Sequence, residues 1–364
     1  MTMQTMQEAP KSSPRGIAPG ARLALFAGFL SFCVLGQGVA PGTAQPSVTG
    51  QVFAPPAAVR FDHIARAMTQ GTYVIEQTRR VVDRAGSFVG VRERFVQDGS
   101  LSPVRFELRF QGIETGDLTG TEFQARMQRH RTHARFLNDF QSFYVHDAAR
   151  AAANYDLVYL GDSRRLDRAV YRFEVRPRVL DRASWVLELD TVTGYPLYRG
   201  ERLPTGALVS EVVVTSFATG SAAAIPTNVV WWEPLIPVLD FPSPAEGITL
   251  LNDARLFVPQ RLALPSGYAL HQSRATMMPF NREISFVLVY SDGIDTLVVT
   301  EKPIPGTQSG TPAEQEHRAL LYSDQGMTQA RFYHNTVEYL VVGRGVRDVV
   351  RRAAESVYRE AVGR

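Results

Sequence analysis

The chain has 364 residues and a mass of 40.4 kDa, enough for about two domains at roughly 100–200 residues each. Hydrophobic residues make up 45% and charged residues 21%, which excludes a wholly disordered chain. Lysine and arginine total 39 against 36 acidic residues. The acidic residues interleave with the arginines and leave no basic stripe, so nucleic acid is not an indicated partner. The single cysteine, Cys33, excludes multi-cysteine zinc sites, iron–sulfur clusters and an intrachain disulfide.

Residues 1–44 read as a secretory signal peptide. A polar start carrying Arg15 and Arg22 leads into an apolar run, Leu23 to Leu35, and then into small residues and turn formers. Cleavage is expected after Ala44, with Ala40 as the second choice. The alternative is an uncleaved membrane anchor, for which the run is short against the ~20 residues a spanning helix needs. Phe32 before Cys33 argues against a lipoprotein. The mature chain is therefore expected to be soluble and outside the cytoplasm, without a cysteine.

Residues 55–69 have apolar positions at helical spacing (Ala58, Phe61, Ile64, Ala65, Met68), with prolines at the start and Gly71 at the end. Strands are expected at 72–82, 87–97 and 103–111. In the last of these Phe106, Leu108 and Phe110 alternate with Arg105, Glu107 and Arg109. Residues 121–153 then interrupt the β pattern as one long, Arg-rich helical segment. Thr121 is its expected cap, and Phe136, Leu137, Phe140, Phe143 and Tyr144 form its apolar stripe. Its arginines include Arg126, Arg129 and Arg135. Further strands are expected at 155–160, 169–177, 184–190, 195–202 and 207–217, with Trp185, Leu187 and Leu189 on one face of the third. The run from 72 to 217 reads as a meandering antiparallel sheet with helices on one face, an α+β pattern.

A Pro-rich stretch, 220–250, reads as a linker, because prolines 226, 234, 237, 242 and 244 oppose a regular helix or central strand. Trp231 and Trp232 within it are candidates for an interdomain contact or for a partner or ligand surface. A second domain spans 251–364. Its strands at 284–291 and 294–301 flank Asp292-Gly293, a strong hairpin signal. Strands at 328–333 and 336–342 follow, and then a helix to Val362.

Catalytic motifs are missing. Gly343-Arg344-Gly345 lacks the rest of a dinucleotide or P-loop fingerprint and reads as a strand–turn–helix junction. His130 and His133 stand at i, i+3, but the arginines around them disfavour a cation, so solvated histidines are expected and no metal is assigned. There is no Gly-x-Ser-x-Gly elbow. The chain reads as a binding protein without a cofactor, not as an enzyme.

Three stretches carry a family resemblance. From Tyr155 the chain reads YDLVYLGDSRRLDRAVYRFEVRPRVLDRASWVLELDTVTGYPLYRGERLPTGALVSEVVVTSF, with a Leu-Asp-x-x-Thr-Gly-x-Pro-Leu hairpin at Leu189 to Leu197. LPSGYAL (264–270) and LVYSDGIDTLVVTEK (288–302) follow, and then a strand–Val-Gly–helix ending at 337–360. In this order they resemble the RseB/MucB family, periplasmic regulators of an envelope-stress sigma factor. The sequence departs from the family pattern in the helical 121–153 segment and in Asp167, where a hairpin glycine is common.

The resemblance implies a two-domain α+β protein with boundaries at 45–219 and 251–364. Its N-terminal domain would be similar to the lipoprotein carriers LolA and LolB, a curved antiparallel sheet (an open half-barrel) whose covering helices border an apolar groove for acyl chains. A smaller C-terminal α+β domain would follow. The apolar-face residues Phe106, Leu108, Phe110, Trp185, Leu187 and Leu189 are candidates for that groove, with plain core packing as the alternative for each. Arg126, Arg129 and Arg135 are candidates for anionic headgroups or an acidic partner, with solvation as the alternative. The implied partners are the periplasmic domain of an anti-sigma factor and a lipid or lipopolysaccharide-like ligand that releases it. A lipid or lipoprotein carrier is the second reading.

Overall fold

The structure is a computed structural model. It describes residues 53–82, 87–101, 104–140, 142–179, 182–232, 238–240, 264, 267–277, 284–303, 327–334, 337–344 and 347–363. The expected signal peptide lies outside the described residues. No described helix is long and apolar enough to cross a membrane.

The first sheet comprises β1 (Tyr73–Val82), β2 (Phe88–Asp98), β3 (Arg105–Ile113), β4 (Tyr155–Arg165), β5 (Arg168–Pro177), β6 (Ser184–Asp190), β7 (Pro196–Arg202) and β8 (Leu208–Thr219). Their order in space is β3-β2-β1-β8-β7-β6-β5-β4, with every neighbouring pair antiparallel. β3 and β4 are the two edges and do not pair, so the sheet is open and not a closed barrel. The chain starts in the middle at β1, runs outward to β3, and restarts at the far edge with β4. A hairpin cannot make that jump. The long connection crosses one face of the sheet, which is where the helices lie.

Those helices are α1 (Phe61–Gln70), α2 (Gly120–Phe140) and α3 (Ala148–Asn154). α1 buries Phe61, Ile64 and Met68, the helical spacing seen in the sequence. α2 starts at a capping box: Thr119 Oγ1 accepts from the Glu122 amide, and the Glu122 carboxylate accepts from the Thr119 amide at 2.9 Å. The cap is therefore Thr119, two residues before the expected Thr121. The expected single helix over 121–153 is also corrected to two. Phe143, Tyr144 and Val145 are all buried, and three consecutive residues cannot share one helical face. An extended segment places all three in the core, and Asp147 then restarts the helix by accepting from the Arg150 amide at 2.9 Å. The β4–β5 turn places Leu166 and Asp167 at φ 51° and 57°. Aspartate tolerates this left-handed conformation better than most residues, so Asp167 makes the turn without glycine.

The second sheet has the order β13-β14-β12-β11-β10-β9. Its strands are β9 (Val238–Asp240), β10 (Ala269–Met277), β11 (Ile284–Ser291), β12 (Thr296–Pro303), β13 (Met327–His334) and β14 (Val337–Arg344). α4 (Arg347–Val362) packs Val350, Ala353, Ala354 and Val357 against Leu288, Val299, Phe332 and Val341. β9 falls within the Pro-rich stretch 220–250 and is not a central strand. It is three residues long and occupies a sheet edge, where flanking prolines cost no ladder bonds.

Candidate ligand and partner site

The helix-covered face of the first sheet holds the predicted groove residues. Phe106, Leu108 and Phe110 share it with Phe95 on β2 and Tyr73 and Ile75 on β1, as the register requires. Phe106 and Leu108 pack with Ala134 and Leu137 of α2, and Phe110 meets Phe123 and His130 at ring distances of 5.3 and 5.2 Å. Trp185, Leu187 and Leu189 lie across the sheet in a second cluster. This one is built with Phe61, Ile64 and Met68 of α1, Phe143 to Val145, and Ala151 of α3. All six candidates are at most 5% exposed. The structure thus brings them to one face, in two separate apolar clusters, each filled by helices.

A polar belt lies on the same face. Gln77 and Arg79 continue the inward parity of Tyr73 and Ile75, and Glu93 continues that of Phe95. The Glu93 carboxylate accepts from Arg79 Nη2 at 3.1 Å and from Gln77 Nε2 at 3.0 Å, and it meets His130 Nε2 at 3.0 Å. Arg199, 1% exposed, donates to Gln77 Oε1 and Ser142 Oγ, both at 3.2 Å. Burial pushes the Glu93 carboxyl up, but the Arg79 guanidinium and the His130 contact outweigh it and hold the group well below the usual carboxylate range. His130 is therefore not the solvated residue expected. It is buried against Glu93, with its other ring nitrogen facing the Arg126 carbonyl at 3.1 Å. The side chain of His133 lies outside the described residues. Among the described residues no cluster of three or more metal-ligating side chains occurs.

Arg126 and Arg129 are half-buried on α2, and the side chain of Arg135 lies outside the described residues. Trp232 packs on the first sheet. It stacks on Phe106 with ring centroids 5.6 Å apart, and its amide donates to the Phe106 carbonyl at 2.8 Å. Trp231 beside it is half-buried. The opposite face of the sheet is charged and paired: Arg94 and Arg109 both bond Glu107 at 2.9 Å, and Arg80 bridges Glu114 and Glu211. The covered face buries apolar groups in two clusters and holds a buried charge network on the same side.

No protein-family model matches the chain. The sigma factor AlgU regulatory protein MucB of Pseudomonas aeruginosa is 27% identical over 273 residues, covering 71% of this chain and 77% of that protein. Two solved structures are also similar. MucB in complex with MucA(peri) has a TM-score of 0.49 at 20% identity over 81% of this chain and 96% of that one. The Pseudomonas aeruginosa MucA/MucB complex has 0.49 at 21% over 81% and 95%.

Proposed function

We propose that this chain, a member of the RseB/MucB family, is an exported regulator that binds the periplasmic part of a membrane-spanning anti-sigma factor. The observation that carries the reading is the similarity to a sigma factor regulatory protein. It runs over 273 residues, longer than the stretch 53–232 that builds the first sheet and its cover, so it spans both sheets. A carrier that needed only the first sheet would require no more than that stretch. The absence of catalytic motifs in the sequence and the apolar make-up of the covered clusters accord with a binding role. In this reading residues 1–44 direct export and are removed, and 45–219 and 251–364 are the two domains.

A lipid or lipopolysaccharide-like ligand is the proposed release signal. The two apolar clusters under α1, α2 and α3 support it. Acyl chains gain about 0.8 kcal/mol per buried CH₂, and to enter here they must displace helices that fill the same space. Release then follows if the ligand binds the opened form more tightly than the partner-bound form. Arg126, Arg129 and Arg135 are the proposed contacts for its headgroup or for the acidic partner.

The test is co-purification of the chain from residue 45 with the periplasmic segment of a membrane anti-sigma factor, with and without added lipid. Capture that lipid abolishes supports the whole reading. Capture that lipid leaves unchanged removes the release step. A chain that carries stoichiometric lipid and passes it between membranes, but captures no anti-sigma segment, is a carrier of LolA/LolB type.

A further inference from the structure

The two sheets meet where the β11–β12 turn enters the first unit. Asp292 at its tip is fully buried, and its two carboxylate oxygens have different tasks. Oδ1 accepts from the amides of Ile294 and Asp295 at 3.0 and 2.8 Å, which shapes the turn from within. Oδ2 accepts from the Tyr155 hydroxyl at 2.7 Å and from Arg182 Nη1 at 2.9 Å, both on the first unit. Tyr155 and Arg182 are 1% and 4% exposed.

The backbone of the turn is gripped as well. The Gly293 carbonyl accepts from the amides of His146 and Asp147 at 2.9 and 3.2 Å. Asn154 Nδ2 donates to the Asp292 carbonyl at 2.8 Å, and Arg150 Nη1 donates to the Ser291 carbonyl at 3.0 Å. Gly293 lies so close to α3 that a Cβ would stand 2.2 Å from the Ala151 amide nitrogen. Ile294 inserts its side chain into the apolar cluster that holds Trp185 and Leu187. The first sheet's core is thus completed by a residue of the second.

We infer that this socket, formed by residues 146–155 and Arg182, is a lock for the Asp292–Asp295 turn, and that it sets whether the two units behave as one body. The division of labour on Asp292 makes the lock reversible. When the turn withdraws, Oδ1 keeps its bonds and the turn keeps its shape. The Oδ2 bonds, the Gly293 carbonyl bonds, the bonds of Asn154 and Arg150 to the Asp292 and Ser291 carbonyls and the Ile294 contact are broken, and they break together. Partial withdrawal would leave Arg182 and Asp292 buried without each other, which is costly. Docking is therefore all-or-none.

The test uses the full chain with a protease site placed between Trp232 and Val238, cleaved after folding. The two pieces of the unmutated chain co-elute on gel filtration down to low concentration. Asp292→Asn and Arg182→Met each raise the concentration at which the pieces separate by at least tenfold, and Tyr155→Phe raises it by less. The double variant Asp292→Asn/Arg182→Met separates no more readily than either single one, because both remove the same contact. Arg182→Met leaves every bond within the turn intact, so it tests the lock even if Asp292→Asn does not fold. Pieces that separate without any substitution, pieces of Arg182→Met that co-elute like the unmutated ones, or losses that add in the double variant would each overturn the inference.

Discussion

Two regions of this molecule bury a carboxylate, and they treat it in opposite ways. Glu93, beneath α2, and Asp292, between the sheets, are 1% and 0% exposed, and each meets an arginine. Glu93 is held well below its ordinary range, whereas burial pushes Asp292 up against the pull of Arg182. The difference lies in the donors. Glu93 faces the fork of Arg79, His130 and the Gln77 amide, all on elements of one sheet and its cover. Asp292 has one guanidinium group, a neutral hydroxyl and two amides of its own turn. The first region is built to keep a charge permanently, and the second only offsets the cost of burying one. That contrast fits a fixed belt in one place and a reversible joint in the other.

The largest effect is expected at the belt. Glu93→Ala leaves Arg79 buried without its counter-charge and should cost about 3–5 kcal/mol of stability, read as a lower midpoint in urea unfolding. Acid should act on the same region next. The carboxyl of Glu93 is depressed in the folded state, so its stabilisation is present above the ordinary value of 4.5 and is lost as pH falls below it. Asp292 is raised above its ordinary 3.8, so its contribution is present at low pH and fades as pH rises through its folded value. Hydrogen exchange at pH 3.5 should therefore show β2 and α2 losing protection ahead of the 292–295 turn. The reverse order would erase the contrast.

Asp292→Asn ranks third, at about 1.5–3 kcal/mol, the range for a hydrogen bond to a charged group. Tyr155→Phe should cost about 0.5–1.5 kcal/mol, because it removes one neutral donor and leaves the ring packed. At the bottom stands Arg178→Ala on the charged outer surface. Its ion pair with Asp156 is half-exposed on both sides, and thermal melting should not register its loss.

The alternation on β3 and β6 was legible because one face of each strand is apolar and the other charged. The belt was legible in part. Glu93 shares the parity of Phe95, and Gln77 and Arg79 share that of Ile75, so polar residues at inward positions were visible in the sequence. What was not visible is that His130, on a helix among arginines, comes down onto Glu93. That meeting depends on where α2 crosses the sheet. The break after α2 was hidden because Phe143 and Tyr144 continue the helical spacing of Leu137. The Asp292-Gly293 turn was plain from its residues, but its socket was not: Tyr155 and Arg182 stand more than 100 positions away in sequence, and no local pattern links them.

The strap that follows β8 has a consequence for self-association. Residues 228–232 run along the outer edge of β3, where the Asn228 carbonyl accepts from Arg109, the Val230 amide donates to Glu107, and the Trp232 amide donates to Phe106. Among the described residues no strand pairs with the other edge, β4. The strap's main-chain bond at Phe106 occupies part of one sheet edge, while β4 at the other leaves Tyr159 and Leu160 42% and 45% exposed, so strand addition by an extended segment is favoured at the β4 end.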